Sequence, residues 1–168
     1  MFSVRLLNEE DEPEGFGMQD TIFVKCLQQL LQTKEPPIAS ALEELLAFLK
    51  RIAEWGIRTP SGRNRTQWFR FENKVSAIPP PPATQRGELR GTLAFCGTTG
   101  LRIYCLPLYQ SDALILFSGG LKTTRTVQQD PELKRHFDLA NKLADVIERE
   151  WRANDFDIDS LEGELIPY

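Results

Sequence analysis

The sequence contains a single histidine, His136, and it lacks the other motifs on which metal, nucleotide or nucleophilic chemistry usually depends. It has no glycine-rich phosphate loop ending in lysine, no cluster of ligands at metal-binding spacing, and no serine–histidine pair of a hydrolase motif. We therefore expect no metal site and no cofactor. His136 lies beside Lys134 and Arg135 in a predicted helix. That setting is typical of a solvated surface histidine, which we expect to be dispensable.

Cysteine is also scarce: Cys26, Cys96 and Cys105 are odd in number, widely spaced and set among apolar residues. Such a pattern indicates buried thiols in a reducing compartment and not a disulfide framework or a zinc site. No apolar run approaches the length that spans a bilayer, and the N-terminus soon turns acidic, unlike a signal peptide. The sequence predicts a cytoplasmic protein without membrane contact.

Acidic residues are few in the middle of the chain. Residues 57–126 hold 10 Lys/Arg against 3 Asp/Glu, a balance of +7. Residues 1–56 hold 5 against 10, and residues 127–168 hold 5 against 11, so both flanks are acidic. The three central acids are too few to favour a two-metal nuclease. A basic centre between acidic flanks is typical of a protein that binds a polyanion and stays soluble.

The central arginines have two interpretations. Arg58, Arg63, Arg65 and Arg70 either contact a polyanion or decorate a flexible loop, because a charge pattern indicates an electrostatic footprint without identifying a partner. We predict Arg63, Arg65 and Arg70 as nucleic-acid contacts, together with Arg90 further along the chain.

Two helices are predicted in the first third of the chain. Asp20 is suited to cap the first helix, which must end before the proline pair at 36–37 because proline interrupts a helix. Ser40 and Glu43 form a capping box for the second helix, and Gly56 follows as a stop signal.

Strands are predicted before and after these helices. Residues 2–7 alternate as a first strand. The later candidates lie at 68–72 (extended by 75–78), 91–96, 101–106 and 112–117. Short turns between regularly spaced strands predict an antiparallel meander. Asp130 and Pro131 then begin a long final helix, with aspartate at the cap and proline in the first turn.

This order of elements predicts an α+β fold in a single domain over residues 1–168. An N-terminal strand and two helices pack on an antiparallel sheet, and a long C-terminal helix follows. An acidic loop at 8–20 and an acidic tail at 152–168 are the additions to this core.

The segment FSGGLKTTRT, residues 117–126, places two glycines, two cations and three threonines where a buried strand ends. A polar turn between strand and helix is one explanation, and a phosphate site is the other. Arg102 points away from its apolar neighbours along its strand, and a meander brings that strand beside Lys122 and Arg125. Cations gathered there would bind a phosphate and stabilise charge that develops on it. RNA cleavage then needs no metal, because the 2′-hydroxyl is the nucleophile.

The segments GLRIYCLPL (100–108) and DALILFSGGLKTTRTVQQDPEL (112–133) resemble the C-terminal half of RelE/ParE-type toxins, especially the phage- and HigB-like branch. In that branch a strand holding an arginine precedes an apolar strand, which is followed by a lysine, threonines, another basic residue and a charged helix. The likeness covers about residues 85–150 in motif, and the first half of the chain in topology only.

The resemblance implies a toxin of a type II toxin–antitoxin system that cleaves mRNA at the ribosome and is held inactive by a cognate antitoxin. It implies catalytic roles for Arg102, Lys122 and Arg125, and a basic position at Arg90. The chain departs from the family in its length, its acidic balance, and the lack of a residue that fills the C-terminal tyrosine or histidine role of some members.

Three classes of function stay open from the sequence. The first is a metal-independent, ribosome-associated endoribonuclease. The second is a non-catalytic relative that binds nucleic acid or a protein such as a topoisomerase. The third is a plain interaction domain. Salt-sensitive RNA binding would separate the first two from the third, and mRNA cleavage would separate the first from the second.

Overall fold

The computed structural model describes residues 2–3, 21–33, 36–81, 99–124 and 126–154, and these contain three helices and one five-stranded sheet. The helices are α1 (Ile22–Gln32), α2 (Pro36–Trp55) and α3 (Pro131–Asn154). The strands are β1 (Phe2–Ser3), β2 (Arg70–Glu72), β3 (Val75–Ile78), β4 (Leu101–Leu108) and β5 (Ala113–Leu121). Several predictions lie outside the described residues: the strand at 91–96, the acidic loop at 8–20, the tail beyond Asn154, and the positions of Cys96, Arg90 and Arg125.

The sheet has the order β1-β5-β4-β3-β2. Strands β2 to β5 pair antiparallel in sequence order, as a meander requires. Strand β1 lies parallel to β5 at the edge, with Phe2 opposite Ile115. The predicted α+β fold class, with an antiparallel sheet and a long C-terminal helix, is confirmed.

Residues 70–78 form a hairpin, although the sequence predicts one extended strand there. Strands β2 and β3 pair antiparallel, with Arg70 opposite Ala77. Asn73, with φ of 64°, and Lys74 make the turn, and asparagine tolerates this left-handed conformation better than most residues. The prediction that the second segment extends the first is wrong, because the two-residue turn reverses the chain.

Helix α1 is capped by a hydroxyl. The side chain of Thr21 accepts a hydrogen bond from the N–H of Val24 at 3.4 Å, as an N-cap does. The prediction that Asp20 caps this helix is wrong, because the neighbouring threonine does so. The helix ends at Gln32, before the proline pair, as predicted.

Helix α2 begins earlier than the sequence predicts and ends where it predicts. It starts at Pro36, so the predicted capping box at Ser40 lies inside the helix. Proline is well tolerated in a first helical turn, because its missing N–H would have no partner there. Gly56 ends the helix with φ of 70°, and its N–H donates to the carbonyl of Ile52 at 2.9 Å.

The sheet buries apolar side chains on both faces. Helices α1 and α2 cover one face, called here the α1/α2 face, with Phe48 and Trp68 among its buried residues. Helix α3 covers the other, called the α3 face, with Phe117 and Ala140 among its buried residues. Successive residues of β4 alternate between the two faces, as side chains on a strand do. This alternation decides which polar side chains of the sheet can meet.

The two cysteines in the described part of the chain are buried free thiols, as predicted. Burial raises the pKa of the Cys26 thiol and, more strongly, that of the Cys105 thiol. Both therefore stay protonated and behave as small apolar side chains.

Helix α3 starts as the sequence predicts. An oxygen of Asp130, Oδ1, accepts from the N–H of Leu133 at 3.1 Å, and Pro131 opens the first turn. No helix in the described ranges is long and apolar enough to cross a membrane.

Candidate phosphate site on the α3 face

A bulge in β5 shapes the candidate site. Cys105 of β4 stands opposite Leu116, whereas Ile103 stands opposite Gly119, so β5 holds one extra residue in between. Such a bulge turns side chains out of the regular alternation. Ser118 consequently faces α3, where its hydroxyl meets the final helix.

Arg102 lies on the α3 face of β4, directly opposite Gly120. Its side chain is 8% exposed, and its Nη1 donates to the carbonyl of Leu101 at 2.7 Å. A Cβ added at Gly120 would come within 3.6 Å of Leu133 and 3.7 Å of His136. These are ordinary van der Waals distances, so helix α3 packs closely over Gly120, with His136 next to the Arg102 strand.

Lys122 lies just beyond β5, close to the same place. Its N–H donates to the carbonyl of Gly100 at 3.0 Å, which continues the β4–β5 pairing past the strand end. Leu121 packs towards the α1/α2 face, so strand alternation puts the next residue, Lys122, on the α3 face with Arg102. Diagonal neighbours of this kind lie about 7–8 Å apart. The half-buried Lys122 and the buried Arg102 thus share one face.

The prediction that His136 is a solvated surface residue is wrong. Its ring is half-buried, and Nδ1 lies 3.0 Å from the hydroxyl of Ser118. Burial lowers the pKa of His136, and the charge of Glu132 opposes that shift. The helix face that carries His136 is turned towards the sheet. The charged neighbours Lys134 and Arg135 made this position look exposed in the sequence.

Tyr104 lies two residues from Arg102 on the same face, and it is fully buried. Its ring packs against Phe137, with 5.5 Å between the ring centroids. Its hydroxyl has no hydrogen-bond partner in the described part of the chain. Burial raises the pKa of Tyr104 strongly, and the nearby negative charge of Glu72 raises it further. The hydroxyl is therefore a buried proton donor that stays protonated at neutral pH.

Acidic groups also lie near this face. The charges of Glu72, Asp130 and Asp138 all raise the pKa of Tyr104, and that of Arg102 lowers it. The α3 face is consequently mixed in charge and not uniformly basic.

Asp130 fixes the turn that follows Lys122. Its Oδ2 accepts from both the N–H and the hydroxyl of Thr123, at 2.9 Å each. Its other oxygen caps α3, and these hydrogen bonds hold the pKa of Asp130 below its usual range. The carboxylate thereby ties the turn after β5 to the start of α3.

The predicted nucleic-acid contacts do not form one group. Arg70 lies on the α3 face, because its partner Ala77 packs there, and its Nε is 3.9 Å from Glu72. Arg63 and Arg65 follow α2 instead, and Arg65 packs into the core of the α1/α2 face beside Trp68. Arg102, Lys122 and Arg70 share a face, whereas Arg63 and Arg65 belong to another surface.

Sequence reasoning missed Tyr104, Ser118 and His136 as members of the site. The alternation of β4 could have indicated Tyr104, since it lies two residues from Arg102. Ser118 and His136 depend on the bulge and on how α3 docks, and neither has a local signal. The described residues include no group of three or more His, Cys, Asp or Glu that could hold a metal ion.

Comparison with known proteins finds no match to a protein-family model, a curated protein or a solved structure. The resemblance to RelE/ParE-type toxins stays a prediction, and a functional proposal has to rest on the residues of the α3 face.

Proposed function

We propose that this protein is a toxin of a type II toxin–antitoxin system, a metal-independent endoribonuclease that cleaves mRNA at the ribosome and is neutralised by a cognate antitoxin. Its action would be in the cytoplasm. The observation that carries the proposal is the placement of Arg102 and Lys122 on one face of the sheet, beside the half-buried ring of His136.

RNA cleavage by this route needs no nucleophile from the protein. The 2′-hydroxyl loses its proton and attacks the adjacent phosphate, the bond from phosphorus to the 5′-oxygen of the next nucleotide breaks, and that oxygen takes up a proton, which leaves a 2′,3′-cyclic phosphate and a 5′-hydroxyl. The enzyme must therefore hold the phosphate, neutralise the developing charge and move these protons. A guanidinium and an ammonium supply the charge. His136, whose lowered pKa favours the neutral ring at pH 7, is able to accept a proton.

Induced expression in a bacterial host without any antitoxin tests this proposal. We expect growth arrest and loss of mRNA integrity, and we expect Arg102→Ala and Lys122→Ala each to remove most of the toxicity at unchanged protein level. Lys142→Ala is the matched control, because Lys142 is an exposed cation of α3. Toxicity that survives both substitutions would remove the proposed site.

His136→Ala belongs in the same experiment. The expectation that it is harmless rested on a surface position, and the ring is instead bonded to Ser118 beside the Arg102 strand. If His136 carries a proton in the reaction, the variant loses mRNA cleavage while mRNA binding persists.

A non-catalytic binding protein is the second candidate, because Arg102 is nearly buried and the face carries three acids. Such a protein would bind RNA or a protein target and leave mRNA intact. Intact mRNA together with growth arrest would favour this candidate over the nuclease.

A further inference from the structure

A second surface lies at the end of α2, and the residues that define it are Arg51, Trp55, Arg58, Arg63 and Arg65. We call this surface the arginine–tryptophan corner. It packs against the core of the α1/α2 face through Trp68, whereas Arg102 lies on the α3 face. A single phosphate therefore does not touch both places.

The chain that follows α2 is fixed to the β4–β5 connection. Oδ1 of Asp112 accepts from the N–H of Ile57 at 2.7 Å and from the N–H of Arg58 at 3.1 Å. Gly56 permits this approach, because a Cβ there would lie 2.4 Å from the Asp112 carboxylate. The start of the corner loop is thus anchored to the sheet.

The loop itself is closely hydrogen-bonded. The N–H of Thr59 donates to the carbonyl of Arg63 at 2.8 Å, and the N–H of Arg63 donates to the Thr59 hydroxyl at 3.0 Å. The Arg58 guanidinium donates to the carbonyl of Gly62, with Nη2 at 3.1 Å. These bonds argue against the alternative that the arginines decorate a flexible loop. Cations on a preformed loop lose less conformational entropy on binding.

Two arginines are held against tryptophan rings. The guanidinium of Arg65 lies 4.6 Å from the Trp68 ring centre and 5.7 Å from that of Trp55. The guanidinium of Arg51 lies 5.6 Å from the Trp55 ring centre. Trp55 is nevertheless 45% exposed, an unusual surface area for the largest aromatic side chain. The corner presents an aromatic ring to solvent with cations around it.

Two acidic residues near the corner, Glu54 and Asp112, have other partners. Glu54 lies 4.0 Å from Lys50, and the Asp112 carboxylate is taken up by backbone N–H groups. Arg63 is exposed, and no described hydrogen bond or ion pair uses its guanidinium. The corner carries four arginines, whereas the α3 face is mixed in charge.

We propose that the arginine–tryptophan corner binds the backbone of single-stranded RNA, with Arg58 and Arg63 on phosphates and a base stacked beside Trp55. Basic grooves with interleaved aromatic rings bind single strands in this way, because every base has a face that stacks. A purely acidic chain such as polyglutamate would bind the arginines but has no aromatic face to stack on the exposed tryptophan. The inference rests on the proposed RNA-binding function, but it does not depend on cleavage at Arg102.

Fluorescence anisotropy with a labelled oligouridine, over a series of salt concentrations, tests this. We expect Trp55→Ala to weaken binding by about tenfold, the range in which stacking on one aromatic ring falls. Trp55→Phe keeps an aromatic face and should bind more tightly than Trp55→Ala. Arg63→Ala should reduce the salt slope by about 0.7, the value for one phosphate contact on a single strand.

The control for charge is Lys142→Ala, which removes the same charge from an exposed site on α3. Circular dichroism checks that each variant keeps the wild-type fold. We expect that it does, because Trp55 and Arg63 are exposed and their replacement leaves no cavity in the core. The proposal is overturned if Trp55→Ala and Arg63→Ala bind oligouridine no more weakly than Lys142→Ala. It is also overturned if polyglutamate binds more tightly than oligouridine at the same salt.

The same variants distinguish RNA binding at the corner from mRNA cleavage at Arg102. If the corner variants bind oligouridine like the wild type while Arg102→Ala stops mRNA cleavage, the corner is excluded and the nuclease stands. If the corner variants lose binding but the wild type never cleaves mRNA, the corner stands and the nuclease is excluded.

Discussion

Replacing Tyr104 by phenylalanine should make the protein more stable, which is unusual for a fully buried side chain. The hydroxyl is buried and has no partner in the described part of the chain, while the ring packs on Phe137. A buried polar group without a hydrogen bond costs about 1–3 kcal/mol. Tyr104→Phe removes the hydroxyl and keeps the ring, so we expect a gain of about 1 kcal/mol in the free energy of unfolding. For a chain of this size that corresponds to a Tm rise of about 2–4 °C.

Urea unfolding measures this change directly, and an unchanged m-value would show that only stability differs. Ser118→Ala is the matched control, because that hydroxyl does have a partner in His136, at 3.0 Å. It should lose about 1 kcal/mol. A Tyr104→Phe protein that is less stable than the wild type would show that the Tyr104 hydroxyl does have a hydrogen-bond partner in the folded protein.

The pH dependence adds a second check on Tyr104. The folded-state pKa is raised above the ordinary value of 10.0. Above that pH the unfolded chain releases the proton and the folded chain keeps it, so stability falls as pH rises. Tyr104→Phe should lose less stability than the wild type in this alkaline range.

Three further predictions concern the anchors of the fold. Gly56→Ala should destabilise the protein by about 2 kcal/mol, because alanine is strained at positive φ and its Cβ would meet the Asp112 carboxylate. Urea unfolding measures this change, and a loss below about 0.5 kcal/mol would contradict the prediction. Arg65→Lys should cost about 1–2 kcal/mol in the same assay, since lysine lacks the planar group that stacks on Trp68, and an equal stability would contradict that role. The pKa of Asp130 is lowered in the folded protein, so its contribution to stability is present above the ordinary carboxyl pKa and is lost as the pH falls through the folded-state pKa. Asp130→Asn should therefore flatten the acid side of a curve of unfolding free energy against pH. An unchanged acid side would show that Asp130 does not cause the loss of stability.

Strong local signals predicted much of the fold. The apolar run predicted at 112–117 is the first part of β5, which begins at Ala113 and continues through both glycines to Leu121, so the predicted end of this strand was four residues too early. The strand that holds Arg102 is β4, and Asp130 with Pro131 begins α3. Each of these has a pattern confined to a few residues, such as an apolar run or a cap followed by proline.

The predictions that failed depend on alternatives with similar local signals or on tertiary packing. Threonine and aspartate are both good helix N-caps, so the sequence alone does not decide whether Asp20 or Thr21 caps α1. The reversal at Asn73 lacks the usual glycine of a two-residue hairpin turn.

The composition of the site was harder to predict than its location. The segment ending β5 indicated where cations gather, and Arg102 and Lys122 do share a face there. The serine–histidine contact arises from a bulge that is visible only in the pairing of two strands. Likewise, Arg65 is read as a surface cation in the sequence, and only the packing of two tryptophans shows that it is buried.

The rate of mRNA cleavage on purified ribosomes, under single-turnover conditions, is the decisive measurement for the proposed nuclease. A well-placed donor to a developing anion is worth about 100- to 1000-fold in rate. We expect cleavage by the wild type without added metal, and a loss of that size in Arg102→Ala and in Lys122→Ala. Lys142→Ala should cleave at the wild-type rate. An Arg102→Ala protein that cleaves as fast as the wild type would show that Arg102 does not act on the phosphate.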